Sequence, residues 1–223
     1  MRIFLLNIDS IHKRHYSLLD TCLTENKFRF HNSLNCHRKL TIFAGDILLR
    51  YALLKANIDI SKVNLCYSEY GKPSIKNEDI YFNLSHSKNL IVLGIAQQEL
   101  GIDILYERRI NQEFIQFFFS KEEQIYLDGL KEEKSDYYWN ALCYKEAFIK
   151  RIGGQIIDMK NKLVCPKNIE YGKVIKEKED IQSIFFKELN YHICLIADQI
   201  YDKINIEKLN IEDIYKELNT WYF

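Results

Sequence analysis

The stretch that constrains this chain most is residues 81–105, in which apolar β-forming runs alternate with short polar breaks. The breaks are His86-Ser87-Lys88-Asn89 and Gln97-Gln98-Glu99, both typical of turns. The pattern predicts three consecutive strands, at Tyr81–Ser85, Leu90–Ala96 and Gly101–Leu105. We expect these three strands to form a meander.

One charged residue, Asp103, interrupts the third predicted strand between Ile102 and Ile104. Because side chains alternate along a strand, Asp103 faces away from these isoleucines, on the face shared with Gly101 and Leu105. A carboxylate beside a core strand is costly unless a cation, a metal or hydrogen bonds accompany it. The sequence leaves open a second interpretation, an aspartate on an edge strand that faces water.

The composition is that of a globular chain. The 223 residues are 47% hydrophobic and 13% aromatic, enough to pack one domain or two of roughly 110 residues. Because 31 basic and 31 acidic residues cancel, no global charge favours nucleic acid or an anionic membrane, and we expect binding to neither.

The six cysteines are widely scattered, without a cluster at metal-ligand spacing. We expect them to be reduced core residues of a cytoplasmic protein rather than zinc ligands or disulfides. No apolar run approaches the 18 residues of a membrane helix, and the apolar run at the N-terminus is too short for a signal sequence. We therefore expect no export or membrane anchoring.

Helical periodicity is clearest at Asn35–Ala56 and at Ser135–Ile152, and the second of these ends at Gly153-Gly154. A capping box at Ser120–Glu123 predicts another helix start. Further elements are predicted at Arg2–Asp9, Val63–Ser68, Lys162–Cys165, Ile184–Leu189 and Tyr191–Ala197 as strands, and at Glu113–Phe119 and Ile206–Leu218 as helices. Each half then holds one long helix and about three strands, which predicts an α+β fold of two similar α/β layers packed side by side.

Four local features require a common explanation. They are Gly71-Lys72-Pro73, Ser85-His86-Ser87, Asp103, and the group Lys145, Glu146 and Lys150 on the second long helix. Hydroxyls, an imidazole and lysines donate to phosphates, and two carboxylates can share a hard divalent ion. The set indicates a magnesium-assisted reaction of a phosphate ester or pyrophosphate. Taken singly, each feature has a plainer interpretation: a generic turn, a turn histidine, or an i, i+4 surface ion pair.

Together and in this order, the features resemble the 4'-phosphopantetheinyl transferases of the large, Sfp-type branch. The segments that carry the resemblance are YGKPSI, FNLSHS, GIDIL, FFFSKEE and KEAFIKRIGG. The resemblance implies a monomeric pseudodimer of two related halves, each with a long helix packed on a small, mainly antiparallel sheet. We place the halves at residues 1–98, on the adenosine and 3'-phosphate side of coenzyme A, and 99–223, with the metal and the catalytic helix.

The resemblance also implies a reaction and a set of roles. Such enzymes transfer the 4'-phosphopantetheine arm of coenzyme A to a serine of an apo acyl or peptidyl carrier protein, with Mg²⁺, and release 3',5'-ADP. Carried over, Lys72, Ser85 and His86 contact the adenosine-phosphate end. Asp103 and Glu146 hold the metal, and Glu146 serves as the base. Lys145 and Lys150 neutralise the pyrophosphate, and Lys150 counts among the catalytic residues.

Three positions depart from the family pattern. Leu105 stands where an acid is usual, and Leu142 where a tryptophan is usual, with Trp139 one turn earlier. Thr41 stands where an arginine is expected, and Arg38 and Lys39 lie close to it. These departures make a second function conceivable, a catalytically silent module that binds coenzyme A or a carrier protein. A third is a nucleotide-binding or structural protein whose charged residues are only surface pairs.

The segment between the two metal acids is rich in basic and aromatic residues. Carrier proteins of this family present an acidic helix, so their receptor needs apolar surface edged with basic residues. We expect docking on Arg108, Arg109, Phe117 and Lys121. The sequence does not identify the carrier, whether from fatty-acid, polyketide or nonribosomal peptide synthesis.

Overall fold

A computed structural model describes residues 1–76, 78–154, 163–177, 181–200 and 204–222 of the chain. Of residues 21, 221 and 222, only the backbone is described. The first part of the chain contains β1 (Arg2–Asn7), α1 (Thr24–Asn32), α2 (Cys36–Lys55), β2 (Leu65–Tyr67), β3 (Pro73–Ile75), β4 (Tyr81–Ser87) and β5 (Leu90–Ala96), with 3-10 turns at Ile8–Ser10, Lys13–Thr21 and Ile60–Lys62.

The second part continues with β6 (Leu100–Tyr106), α3 (Gln112–Phe118), α4 (Lys121–Gly129), α5 (Lys134–Ile152), β7 (Val174–Lys176), β8 (Gln182–Glu188), β9 (Tyr191–Ala197), β10 (Ile206–Leu209) and α6 (Ile211–Tyr222). One sheet has the order β10-β1-β5-β4, and another has the order β6-β9-β8-β7. The pairs are antiparallel except β1 with β10, which is parallel. The α+β class is confirmed.

The two large sheets repeat one arrangement. Each contains a hairpin of two seven-residue strands joined by two residues, and the first residue of each turn has a positive φ, 46° at Lys88 and 52° at Leu189. In both halves the second residue of the turn accepts a backbone hydrogen bond from the residue that follows the neighbouring strand. Ile8 N donates to the carbonyl of Asn89, and Glu107 N donates to that of Asn190, each at 2.8 Å. The strand trios β1-β5-β4 and β6-β9-β8 therefore correspond, as two similar halves require.

The long helices α2 and α5 cover one sheet each. The side chain of Asn35 caps α2 by accepting from the amide of Arg38, and Gly153 ends α5 in the left-handed conformation, with φ 65°. The capping box of α4 is present as predicted, between Ser120 and Glu123. Core residues of α2 include Phe43, Ile47 and Leu48, and those of α5 include Tyr138, Cys143 and Ala147.

The predicted meander is wrong at its third strand. β4 and β5 pair as predicted, but β6 leaves their sheet and pairs with β9. Side chains of β4 bond to the β6 backbone in place of a ladder: Ile102 N donates to Asn83 Oδ1 and Tyr106 N to Ser87 Oγ, both at 3.0 Å. Alternation along the sequence predicts where a strand lies, but it does not specify the partner strand.

The C-terminal segment also differs from its prediction. Residues Ile206–Leu209 form β10 on β1, and the helix begins only after Asn210, whose side chain accepts from the amide of Glu212 at 3.0 Å. Ile214 and Leu218 of α6 are buried in the core of the first half. The division into two halves at residue 98 remains a prediction. The last strand and helix, which that division assigns to the second half, lie against the first half.

The strand predicted at Lys162–Cys165 is also wrong for its last three residues. Residue 162 lies outside the described residues. Leu163–Cys165 form no strand, and the amide of Cys165 donates to Glu123 Oε1 at 3.0 Å. All six cysteines are free, and four of them are buried as predicted, but Cys36 and Cys66 are exposed, so the prediction of core residues is wrong for these two. Among the described residues, no helix is both long and apolar enough to cross a membrane.

Gly101 sets how closely α5 approaches β6. A Cβ at this residue would lie 1.9 Å from the carbonyl oxygen of Ala147 and 2.5 Å from the amide of Arg151, both backbone atoms. We predict that Gly101→Ala lowers the free energy of unfolding by about 3 kcal/mol, because the helix must move off the strand. Urea unfolding measures the change.

Gly129 supplies the matched control, since a Cβ there meets nothing within 4 Å. Gly129→Ala should be neutral or stabilising by up to about 1 kcal/mol, through helix propensity. Equal unfolding free energies for the two alanine variants would contradict the close approach.

Candidate functional site

The site lies where β4 of the first half meets β6 and α5 of the second. Alternate side chains of β4 point at β6, and the middle one, Ser85, reaches Asp103. The Ser85 hydroxyl donates to Asp103 Oδ1 at 2.6 Å. The predicted Ser85 and Asp103 therefore lie in contact, although 18 residues separate them in the sequence.

Asp103 is buried and ion-paired. Its carboxylate faces α5, where Lys150 Nζ lies 2.5 Å from Oδ1 and 2.7 Å from the hydroxyl of Ser85. Its second oxygen, Oδ2, is buried and has no hydrogen-bond partner among the described residues. The interpretation of Asp103 as a solvated edge residue is excluded, and one carboxylate oxygen remains for a cation.

Glu146 lies one helical turn before Lys150 on α5 and shares this environment. Burial, and after it the charge of Asp103, raise the pKa of Glu146 to about 7, against the opposing effect of Lys150. The repulsion between the two carboxylates places Glu146 within electrostatic reach of Asp103. Asp103 and Lys150 are therefore in contact, and Glu146 lies close enough for its charge to interact with both.

Lys145 and Lys72 have other partners. Lys145 is buried and forms an ion pair of 3.0 Å with Glu123 Oε2, and its Nζ also bonds to the carbonyl of Leu163. Lys72 bonds to Glu99 and donates to the carbonyl of Arg151 at 2.6 Å, so it ties a turn of the first half to the end of α5. Neither contact could be read from the sequence, because both join distant segments.

His86 lines a different cavity from Glu146. This basic cleft, about 700 Å³, lies between α2 and β4, and its lining includes Arg29, His37, Arg38 and Thr41. Partial burial and the nearby charges of Lys150 and His37 lower the pKa of His86. Arg38 lines the cleft beside Thr41, whereas Lys39 lies over the ring of Phe30. His37 was missed, and only its place in the first turn of α2 could have indicated it.

A second cavity, the apolar pocket, contains Glu146. Its volume is about 420 Å³, and Leu105, Trp139 and Leu142 line it, together with Ser87, Tyr106, Arg108, Arg109, Asn111, Phe114, Phe118, Tyr138, Lys145 and Ile149. Trp139 therefore reaches the same pocket as Leu142 from one turn earlier. Its indole nitrogen has no hydrogen-bond partner among the described residues.

One further polar cluster lies at the end of β6. The ring nitrogens of His192 lie 2.8 Å from Glu107 Oε1 and 2.8 Å from Asn140 Oδ1, and both of these oxygens accept. Glu107, Asp136 and His192 are close enough to hold a metal ion. Lys187 Nζ, however, already lies 3.1 Å from Glu107 and 2.5 Å from Asp136, so an ammonium balances these carboxylates.

The second part of the chain is similar to a known family of proteins. Residues 99–197, which include Asp103, Glu146 and Lys150, match the family model of the 4'-phosphopantetheinyl transferase superfamily. This part of the chain, less than half of its length, is therefore similar to that superfamily.

Individual relatives also carry the name 4'-phosphopantetheinyl transferase. The chain is 37% identical over 130 residues to the 4'-phosphopantetheinyl transferase Sfp of Bacillus subtilis, with 56% of each chain covered. It is 27% identical over 194 residues to the 4'-phosphopantetheinyl transferase gsp of Aneurinibacillus migulanus, with 83% of this chain and 79% of the relative covered. A match to psf-1 of Bacillus pumilus is 29% identical over 128 residues, covering 56% of this chain and 54% of the relative. The chain thus spans about half the length of Sfp and psf-1, and more of gsp.

The raised pKa of Glu146 predicts a pH-dependent stability. The folded protein keeps a proton on Glu146 up to a pH of about 7, whereas the unfolded chain releases it near the ordinary value of 4.5. Stability therefore falls as the pH rises from 5 to 8. We predict that Glu146→Gln gains of order 2–3 kcal/mol over the unsubstituted protein at pH 8 and nothing at pH 5. Thermal melts across this range, without added metal, measure it.

Glu122 is the control, since the bond with Lys167 lowers the pKa of its exposed carboxyl. Glu122→Gln should gain nothing at pH 8. Melting temperatures of Glu146→Gln and the unsubstituted protein that stay parallel from pH 5 to 8 would show that Glu146 titrates normally.

Proposed function

We propose that this protein transfers the 4'-phosphopantetheine arm of coenzyme A to the serine of an apo acyl or peptidyl carrier protein, in the cytoplasm and with Mg²⁺. One observation carries the proposal: the buried Asp103 carboxylate, with one free oxygen, lies beside Glu146 and Lys150 at the junction of the two halves. The family match of residues 99–197 and the named relatives support it.

The donor set fits magnesium. Mg²⁺ prefers oxygen ligands, tolerates few protein carboxylates and keeps several waters. Asp103, through Oδ2, and Glu146 would hold it, and Leu105 offers no third carboxylate. When bound, the metal would neutralise negative charge on the pyrophosphate of coenzyme A.

The residues of the chain would supply the remaining steps. Glu146, with a pKa near neutrality, takes the proton of the serine hydroxyl as its oxygen attacks the phosphorus of the phosphopantetheine group. The bond from that phosphorus to the bridging oxygen breaks, and 3',5'-ADP leaves with the bond electrons. Lys150 is held by Ser85 and Asp103 in a position to neutralise this developing charge.

Two cavities flank these residues and match the two ends of coenzyme A. The basic cleft with His86, Arg38 and Arg29 suits an anionic nucleotide, and the apolar pocket beside Glu146 suits the uncharged pantetheine arm. In this proposal Lys72 exchanges its contact with Glu99 for a phosphate of the coenzyme. Lys145 acts through its ion pair with Glu123, which holds α5 against α4 at the residue next to Glu146.

Incubation with coenzyme A, Mg²⁺ and an apo carrier protein, followed by mass spectrometry of the carrier, tests the proposal. Addition of one phosphopantetheine mass to the carrier supports a transferase. Binding of coenzyme A or of the carrier without any mass change would contradict the transferase and support the alternative, a catalytically silent binding module.

The metal pair predicts a loss of activity with the fold intact. Asp103→Ala and Glu146→Ala should each lower kcat by about 10²–10³-fold, since transition-state charge loses several kcal/mol of stabilisation. The mass-shift assay gives the rates, and circular dichroism checks folding. Asp128→Ala, at an exposed ion pair with Lys134, is the control and should keep full activity. Folded Asp103 and Glu146 variants with near-normal rates would refute the assignment.

Carrier docking on the basic residues at the pocket mouth predicts a selective change in KM. Arg108 and Arg109 are exposed and form no ion pair among the described residues. Replacing both with Glu should raise KM for the carrier, more so at low salt, and leave KM for coenzyme A nearly unchanged. Steady-state kinetics at two salt concentrations measure both constants.

The control replaces Lys173, just before β7, and Lys176, on β7, with Glu. It should leave both KM values unchanged. Equal increases for carrier and coenzyme, or none for either, would place docking elsewhere. Phe117, 45% exposed, and the exposed Lys121 belong to the same proposed surface.

A further inference from the structure

The turn between β8 and β9 carries a leucine where the backbone disfavours one. Leu189 has φ 52° and is 83% exposed. A side chain with a Cβ is strained in this region, which glycine and asparagine adopt more readily. An exposed leucine gains nothing from burial that would offset the strain, so the fold itself does not explain the residue.

The equivalent turn of the first half shows what the other repeat does at this position. Lys88 has the same kind of backbone, with φ 46°, but its Nζ lies 3.3 Å from the centre of the Tyr106 ring. The lysine therefore has a partner within the protein, whereas Leu189 points its apolar surface at solvent. The two turns share a backbone and differ in what they present.

Leu189 lies in a turn whose next residues contact the segment that lines the apolar pocket. The next residue, Asn190, accepts from the amide of Glu107, and Tyr191 packs on Tyr106, with ring centroids 4.9 Å apart. Tyr106 lines the pocket, as do the residues that follow Glu107, Arg108 and Arg109. The turn is thus connected by direct contacts to the rim above Glu146.

The rim has the charge of a receptor for an acidic partner. It combines the exposed Lys88, Arg108 and Arg109 with exposed apolar side chains, Phe114 in the pocket lining and Leu189 at the tip of a hairpin. An acidic surface with an apolar residue at its centre complements this arrangement. A nucleic acid would gain from the basic residues but not from the leucine.

We propose that Leu189 is an apolar docking contact for an acidic carrier protein, and that the strained turn is retained for this interaction. The proposal rests on the proposed function and extends its docking surface from the helical segment to the β8–β9 turn. Because strain and recognition reside in one residue, removing the leucine should have opposite effects on stability and on carrier recognition.

The test uses Leu189→Asn in the full chain. Relief of the strain should raise the melting temperature by about 2–4 °C. Loss of the apolar contact should raise KM for the carrier about fivefold to tenfold, with KM for coenzyme A unchanged. Higher stability with an unchanged carrier KM would overturn the proposal, since it would make Leu189 an ordinary surface residue.

Two further variants separate apolar character from backbone effects. Leu189→Met keeps an apolar side chain and the strain, and should restore the carrier KM to near its original value. Leu34→Asn removes a leucine that is 101% exposed, ahead of α2 in the first half and away from the proposed docking surface, and should leave the carrier KM unchanged. A carrier KM raised equally by the asparagine and methionine variants would also overturn the proposal.

Binding to a carrier whose serine is replaced by alanine keeps the test independent of catalysis. If the unsubstituted protein modifies carriers but Leu189→Asn recognises them equally well, this inference alone fails. If no carrier is modified, the proposed transferase fails, and the alanine carrier then decides: binding weakened by Leu189→Asn supports the docking contact, and equal or absent binding overturns it.

Discussion

The contact on which this structure depends joins three segments at one carboxylate. Asp103 of β6 accepts from Ser85 of β4 and pairs with Lys150 of α5, so the two halves meet at a buried charge. Lys150 reaches it only because Gly101 lets α5 lie against β6. Removing any one partner leaves the others desolvated and unpaired, which is costly in a buried site. The same contact holds Glu146 near Asp103, and the proposed chemistry follows from that proximity.

Much of the fold could be predicted because its signals are local. Asn35 caps α2, Gly153 ends α5, and the Ser120 and Glu123 box begins α4, each within a few residues of the backbone groups it satisfies. The partner of β6 could not be predicted in this way. Its free edge is satisfied by side chains of β4, and β10 returns from the far end of the chain, so both depend on packing between distant segments.

The residues of the candidate site could also be predicted only in part. Asp103, Glu146 and Lys150 could be grouped from the sequence because an acid in an apolar strand and an acid and a lysine one helical turn apart are unusual on buried faces. The partners of Lys145 and Lys72 are Glu123 and Glu99, and only the folded structure identifies them. Their roles toward coenzyme A, like those of Ser85 and His86, therefore remain proposals. The sequence also did not predict that the two hairpin turns share a positive φ at their first residue, Lys88 and Leu189.

The most direct measurement locates the metal with coenzyme A bound. Crystals grown with Mn²⁺ and coenzyme A give an anomalous signal at the ion, and two carboxylate-rich places in the described structure compete for it. We expect the signal beside Asp103 and Glu146, and its disappearance in Asp103→Ala. A signal at Glu107, Asp136 and His192, or coenzyme A bound with no metal near Asp103, would contradict a metal-assisted transferase centred on these two carboxylates.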